Sequence, residues 1–323
     1  MPTTLRSLAL SGCAALALAA CATPTTAPDV EADTGATPPS VDYAQLLDDV
    51  RILSADDMEG RGTGTPGGEK ARAYVVSRLE ALGVAPASFG RLQPFEMTGR
   101  SPDGPVSFRG ANVLGLIPGT RVGDRYIVVT AHYDHVGSRE GQIYNGADDN
   151  ASGVATLLEL ARRLKVQAPE HSVLFVAFDG EERGLLGARE FVKAPPVPLS
   201  SIALNLNFDM TSRAETDGHL WVTGTYQHPN LRPILETVPA SGAISFAFGK
   251  DTPEDKGEDN WVDSSDHGVF HAMGLPFIYM GVDYHPDYHR PSDDFERITP
   301  TAFQGATELA IAGFHALDRS LDR

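Results

Sequence analysis

The chain has 323 residues, of which 41% are hydrophobic and 21% are charged, so it can bury a full-sized core and wholesale disorder is excluded. It carries 43 acidic residues against 26 Lys and Arg, a formal net charge of −17, and no run rich in basic residues. Because phosphate backbones repel such a chain, nucleic acid is excluded as a partner.

The N-terminal segment has the pattern of a targeting signal. Arg6 precedes an apolar run over residues 8–20 that is too short to span about 30 Å of hydrocarbon, which predicts a signal peptide over 1–20. Residues 18–21 resemble the bacterial lipobox and predict a lipidated Cys21, followed by a flexible, Thr- and Pro-rich tether through residue 40. Ala22 stands where an acidic residue marks inner-membrane retention in many Gram-negative bacteria. The expected location is therefore the cell envelope, lipid-anchored in the outer membrane and facing the periplasm.

In the body of the chain, 41–323, short apolar runs alternate with helical patterns, and no boundary of a second domain is visible. Helices are predicted over 41–53, 67–83, 150–164, 184–192, 230–238 and 299–321. Strands are predicted over 126–131, 172–178, 202–208, 220–223 and 276–280. Apolar strands interleaved with helices predict one α/β domain, a three-layer sandwich in which helices flank a central, largely parallel mixed β-sheet.

Polar side chains follow the predicted strands where each strand ends. They are His132, Asp134 and His135 after the first strand, Glu181 and Glu182 after the second, Asp209 after the third, and His285, His289 and Asp293 after the last. Ligands collect beyond the carboxyl ends of strands in α/β sheets, and carboxylates at this density repel one another unless a cation neutralises them. Since both cysteines, Cys13 and Cys21, lie outside the body, His and carboxylates are the available donors. They favour zinc, with manganese or cobalt as alternatives.

Six motifs, in this order, resemble those of the co-catalytic di-zinc aminopeptidases. They are AHYDHVG (131–137), NGADDNASGVATLLELAR (145–162), FVAFDGEERGLLGAREF (175–191), NFDM (207–210), SSDHGVFHAMGLP (264–276) and YHRPSDD (288–294). This family includes bacterial leucyl aminopeptidases and, more distantly, glutamate carboxypeptidase and glutaminyl cyclase. The resemblance covers about residues 45–315, and the short stretch 94–125 lacks the protease-associated insert domain of some relatives.

The resemblance implies two zinc ions per chain and a role for each matched residue. His132 and Asp209 are expected to bind one zinc, Glu182 and His289 the other, and Asp148 to bridge both, with a cis peptide bond between Asp148 and Asp149. Glu181 matches the general acid/base. Asp134, Asp149 and Asp293 are expected to accept hydrogen bonds that orient the ligands.

The activity implied is that of an exopeptidase, and most directly an aminopeptidase, that removes N-terminal residues from peptides with metal-activated water. An acidic site attracts an ammonium, and the single arginines Arg183 and Arg290 do not form a clamp for a C-terminal carboxylate. Carboxypeptidase or dipeptidase action, a glutaminyl-cyclase-like transferase with one zinc, and a non-catalytic binding protein such as the transferrin receptor are the alternatives. The complete ligand set argues against the last two. Peptides are the expected partners, and no obligate protein partner is evident.

The remaining candidate residues receive other interpretations. Four further histidines are predicted to be structural or to line the pocket, because five ligands already complete two metal sites: His135, His267, His271 and His285. The run Ser265-Asp266-His267 does not indicate a serine hydrolase, since adjacent side chains point apart and no G-x-S-x-G elbow exists. Trp261 and Tyr284 are predicted either to line a specificity pocket or to pack in the core.

Overall fold

The structure, a computed structural model, describes residues 40–101 and 104–322, with only the backbone described for 97–101 and 104–106. The predicted signal peptide, Cys21 and nearly all of the predicted tether therefore lie outside the described residues. No helix in the described ranges is long and apolar enough to cross a membrane.

The described strands form an eight-stranded sheet and a small hairpin. The strands are β1 (Leu92–Ser101), β2 (Gly104–Ile117), β3 (Val122–His132), β4 (Gly137–Arg139), β5 (Gln142–Tyr144), β6 (His171–Phe178), β7 (Ile202–Phe208), β8 (His219–Thr223), β9 (Ser245–Phe248) and β10 (Phe277–Gly281). Their order in the large sheet is β1-β2-β6-β3-β7-β10-β8-β9, and β4 pairs with β5. The four central strands, β6, β3, β7 and β10, run parallel, so their carboxyl ends share one edge of the sheet.

Helices cover both faces of this sheet, as the sequence predicts. They are α1 (Tyr43–Leu53), α2 (Pro66–Ala81), α3 (Gly153–Val166), α4 (Leu186–Lys193), α5 (Arg232–Leu235), α6 (His267–Ala272) and α7 (Pro300–Ser320). Core residues of α1, α2, α3 and α7 pack on one face, and those of α4 and α6 on the other. Along β3, Ile127 and Val129 belong to the first core and Val128 to the second, because successive strand residues point to opposite faces. The three-layer α/β prediction is confirmed.

Local sequence explains where several helices begin. Thr65 caps α2 by accepting a hydrogen bond from the backbone N–H of Gly68, and Pro66 occupies the first helical position. The helix predicted over 150–164 instead begins at Gly153, because residues 147–152 form a wider turn. The helix predicted over 230–238 shortens to Arg232–Leu235, after which the backbone continues in hydrogen-bonded turns.

The β1–β2 hairpin and β9 were not predicted from the sequence. Pro94 in β1 and Gly110 in β2 interrupt the apolar pattern by which buried strands are identified. β1 and β9 are the two edge strands of the large sheet, and β2 lies next to β1. The predicted central strands, by contrast, position the polar residues described next.

Candidate metal centre

The candidate site lies at the carboxyl ends of the four parallel strands. His132 is the last residue of β3, Asp209 directly follows β7, and Glu181 and Glu182 follow β6 within a short helical turn. His289 lies in the loop after β10. The structure thus brings together five of the residues predicted from strand ends, for the topological reason used in the prediction.

Two groups of side chains offer donor atoms that lie within 4.8 Å of one another. The first group is His132, Glu181 and Asp209, and the second is His135, Asp149, Glu182 and His289. In the first group, His132 Nε2 is 3.3 Å from Asp209 Oδ1. In the second, His289 Nε2 is 3.2 Å from Glu182 Oε1.

The carboxylate of Asp149 lies between the two groups. Its Oδ1 is 3.4 Å from His132 Nε2, and its Oδ2 is 3.0 Å from His289 Nε2. The side chain is 4% exposed, so its two oxygens face the two groups rather than solvent. A carboxylate shared in this way can bind two neighbouring cations at once, as a two-metal site needs.

Several buried donor atoms of the site have no hydrogen-bond partner among the described residues. They include Asp149 Oδ2, Glu182 Oε1 and both ring nitrogens of His135. An unpartnered polar atom is costly to bury, and a charged one more so, unless a cation or a proton compensates it. Imidazole nitrogens and carboxylate oxygens are also the donors that zinc takes when Cys is absent. The residues therefore fit a metal centre.

The structure corrects the prediction for the two consecutive aspartates. The cis peptide bond lies between Asp149 and Asn150, not between Asp148 and Asp149. Asp148 points away from both donor groups: its carboxylate accepts hydrogen bonds from Ser212 N (2.8 Å), Ser212 Oγ (2.7 Å) and His285 Nε2 (3.0 Å). Adjacent side chains project in different directions from this irregular turn, so only one of the pair reaches the donor groups. That residue is Asp149, which the sequence analysis had assigned to orientation.

Two of the predicted orienting carboxylates, Asp134 and Asp293, accept hydrogen bonds from backbone N–H groups and a hydroxyl rather than from imidazole rings. Asp134 accepts hydrogen bonds from Thr63 Oγ1 (2.9 Å) and Glu181 N (3.1 Å), while His132 Nδ1 lies 3.1 Å from the backbone oxygen of Asp134. Asp293 accepts the backbone N–H groups of Asp148 and Asp149, each at 3.0 Å. Asp134 therefore holds the turn that carries Glu181, and Asp293 holds the turn that carries Asp149.

Of the other candidate residues, some are structural and some face the site. His267 and His285 are structural, since His267 Nε2 lies 2.7 Å from the carbonyl oxygen of Trp261 and His285 holds Asp148. Trp261 and Tyr284 line the same cleft as His132 and Asp149, so they do face the site. His135, expected to be structural or to line the pocket, belongs to the second donor group.

Burial of Glu181 changes the pKa of its carboxyl group. It raises the pKa of this carboxyl well above its ordinary value; nearby His132 opposes the rise, and the carboxylates of Asp266 and Asp209 add to it. A carboxyl group with a raised pKa suits proton transfer near neutral pH better than an ordinary glutamate does.

Arg61 supports the site in a way that sequence reasoning missed. It is fully buried, and its guanidinium donates hydrogen bonds to five backbone carbonyls: Leu53 (2.8 Å), Tyr133 (2.8 Å), Asn145 (2.5 Å), Gly146 (2.9 Å) and Asp149 (3.2 Å). Burial lowers its pKa to about 10, which still leaves it charged. It thereby ties the His132–His135 segment to the turn that carries Asp149. The pattern of acids and bases could not reveal this, because its acceptors are backbone oxygens, which every residue carries.

A sequence profile of peptidase family M28 matches residues 112–313, which include every residue of both donor groups. The chain belongs to peptidase family M28. Curated relatives of this M28 chain include aminopeptidase YwaD of Bacillus subtilis, 29% identical over 63% of this chain and 44% of the relative. The probable lipoprotein aminopeptidase LpqL of Mycobacterium tuberculosis is 27% identical over 83% of this chain and 58% of the relative. The chain thus spans less than two thirds of the length of these curated relatives.

The M28 fold agrees with solved structures. The zinc aminopeptidase BSAP from Bacillus subtilis superposes with a TM-score of 0.69 at 18% identity, over 89% of this chain and 97% of that structure. At this identity the similarity shows a shared fold.

Proposed function

We propose that this M28 member is a zinc-dependent exopeptidase that acts as an aminopeptidase. The observation that carries the proposal is the Asp149 carboxylate, whose two oxygens face two separate groups of His and carboxylate donors. Relatives named as aminopeptidases and a fold shared with a zinc aminopeptidase support it.

The proposed ligands follow the two donor groups. His132 and Asp209 would hold one zinc and Glu182 and His289 the other, while Asp149, in place of Asp148, would serve both. When bound, such ions polarise the scissile carbonyl and lower the pKa of water toward neutrality.

Glu181 is the proposed general acid/base. Its carboxylate takes a proton from the attacking water as the water oxygen bonds to the scissile carbonyl carbon. The same proton then passes from Glu181 to the leaving amine nitrogen as the C–N bond breaks. Its backbone N–H donates to Asp134 Oδ1 at 3.1 Å, which holds the turn in place for both transfers.

The charges of the cleft support recognition of an N-terminus. Among the described residues that line it, three are carboxylates and none is Lys or Arg. Arg183 instead lies over the ring of Phe108, 5.4 Å from its centre, and Arg290 is exposed. A cleft of this charge attracts a substrate ammonium and offers no bidentate partner to a substrate carboxylate.

Matched peptide pairs test the direction of hydrolysis. We expect peptides with a free N-terminus to lose their first residue, and the same peptides N-acetylated to be cut with about 10- to 100-fold lower kcat/KM. A lost charged hydrogen bond costs roughly 1.5–3 kcal/mol. Amidation of the C-terminus serves as the matched control and is expected to change little. Release of C-terminal residues from acetylated peptides would instead identify a carboxypeptidase, and ammonia release from N-terminal Gln without chain cleavage a cyclase.

We also propose that Cys21 carries a lipid anchor that places the domain in the outer membrane, facing the periplasm. The lipobox-like residues 18–21 and the similarity to a probable lipoprotein aminopeptidase support the anchor, and Ala22, in place of an acidic residue, supports the outer membrane. Cys21→Ser is expected to abolish incorporation of labelled fatty acid, since the lipid attaches to its sulfur, and to leave activity on small peptides unchanged. Cys13→Ser is the matched control and is expected to retain the label. Undiminished labelling of Cys21→Ser would contradict the anchor.

A further inference from the structure

We propose that His135 is a fourth protein ligand at the second metal position, so that the two positions of this centre are unequal. The second position then has two imidazoles and two carboxylates from the protein: His135, Asp149, Glu182 and His289. The first has His132, Asp209 and the other oxygen of Asp149, and keeps a place open. This inference rests on the proposed function, because it presupposes that the donor groups bind metal.

The position of the His135 ring supports a ligand role. Its Nδ1 lies 2.9 Å from Glu182 Oε1 and 3.6 Å from Asp149 Oδ2, the same two oxygens that face His289 Nε2. Donor atoms at these separations surround a common point. The ring is 1% exposed, so water does not compete for this place.

The hydrogen bonding of His135 differs from that of buried structural histidines in this chain. Its Nε2 has no hydrogen-bond partner among the described residues, and its Nδ1, although 2.9 Å from Glu182 Oε1, is not aligned for a hydrogen bond with it. By contrast, both ring nitrogens of His171 are aligned for hydrogen bonds to carboxylates, at 2.9 Å from Asp318 and 3.2 Å from Asp322. Burying an imidazole without any partner is unfavourable, and a metal bond at Nδ1 removes part of that cost.

The backbone leaves room for this imidazole at Gly146. This residue has φ +56°, and a Cβ atom there would lie 2.5 Å from Cδ2 of the His135 ring. A glycine therefore allows the turn that carries Asp149 to approach His135 closely. Arg61 ties the same turn to the segment that carries His135 by bonding the carbonyls of Gly146 and Tyr133.

Unequal positions have a chemical consequence. Four protein donors form the closed set typical of tightly held structural zinc, whereas three donors and an open place are typical of catalytic zinc. Glu181, the proposed general acid/base, shares the donor group of this three-donor position with His132 and Asp209. We therefore expect the ion at the first position to exchange readily and the ion at the second to be retained.

Stepwise removal of zinc from the full chain tests the inference. Wild type, His135→Gln, His135→Cys and His171→Gln are dialysed against graded chelator, and zinc per chain is measured by elemental analysis. Wild type is expected to lose its ions in two separate steps. His135→Gln is expected to lower the zinc affinity of the tighter position by more than about 100-fold. Loss of an outer-sphere partner lowers metal affinity by at most about that factor, and loss of a direct ligand should cost more. His135→Cys supplies a new donor and restores retention, and His171→Gln, a buried histidine remote from the site, keeps the wild-type curve.

X-ray absorption of wild-type chain loaded with one equivalent of zinc gives a test that needs no variant. Two imidazoles per zinc are expected, since the tighter position holds both His135 and His289. A single imidazole, or a His135→Gln release curve identical to that of wild type, would overturn the fourth-ligand inference while leaving the peptidase proposal intact. A wild-type chain that binds no zinc would instead overturn the proposed function, and this inference with it.

Discussion

Asp149→Asn is expected to remove both metal ions and to lower kcat/KM by about 10⁴-fold or more. The amide is nearly isosteric with the carboxylate but carries no charge, so neither donor group keeps its shared anionic ligand. Metal ions supply several kcal/mol of transition-state stabilisation, and each 1.36 kcal/mol is a factor of ten in rate. Zinc per chain and peptide hydrolysis, measured on the same folded preparation, check the result.

Asp148→Asn is the matched control, one residue away in the same turn. Asp148 holds Ser212 and His285, which lie near Asp209 and His289 in the chain, so its loss is expected to act through those loops. A decrease in metal affinity of about 10- to 100-fold is expected, as for other outer-sphere partners. The reverse outcome, with zinc lost from Asp148→Asn and retained by Asp149→Asn, would restore the assignment made from sequence.

Glu181→Gln is expected to lower kcat by about 10²- to 10⁴-fold while both zinc ions stay bound, since general acid/base catalysis contributes that factor. The amide keeps the size of the side chain and the backbone hydrogen bond to Asp134, but it cannot take up the proton of the attacking water. Steady-state kinetics and zinc content together separate loss of chemistry from loss of metal.

The neighbouring Glu182→Gln provides the contrast for Glu181. Glu182 Oε1 lies 2.9 Å from His135 Nδ1 and 3.2 Å from His289 Nε2, within the second donor group. This variant is expected to lose zinc from that group as well as activity. If Glu181→Gln kept wild-type turnover, or lost zinc as Glu182→Gln does, the acid/base assignment would be wrong.

The sequence by itself determined the fold class and the edge of the sheet where the site lies. Strands β6 and β7 and the second half of β3 are buried and mostly apolar because helices cover both of their faces, and such runs can be recognised in the sequence. Helices connect these strands, which predicts parallel strands, so the residues that follow them meet at one edge. His132, Glu182 and Asp209 were found by this reasoning together with the family resemblance.

Only the tertiary structure decided which of two adjacent aspartates faces the donor groups. The turn at 147–152 has no regular period, so the direction of each side chain depends on the backbone path. That path is set by Asp293, which binds the backbone N–H groups of Asp148 and Asp149, and by Arg61, which binds the Asp149 carbonyl. Both partners are distant in sequence.

The position of His135 was likewise decided by the tertiary structure. The sequence places this histidine three residues after His132 and predicts a structural or pocket-lining residue, because five other ligands already complete two metal sites. Only the fold shows that Gly146 leaves space for its ring and that its Nδ1 points at Glu182. A set of metal ligands consists of atoms that lie close together in space. When irregular loops supply these atoms, tertiary packing rather than residue spacing determines which residues belong to the set.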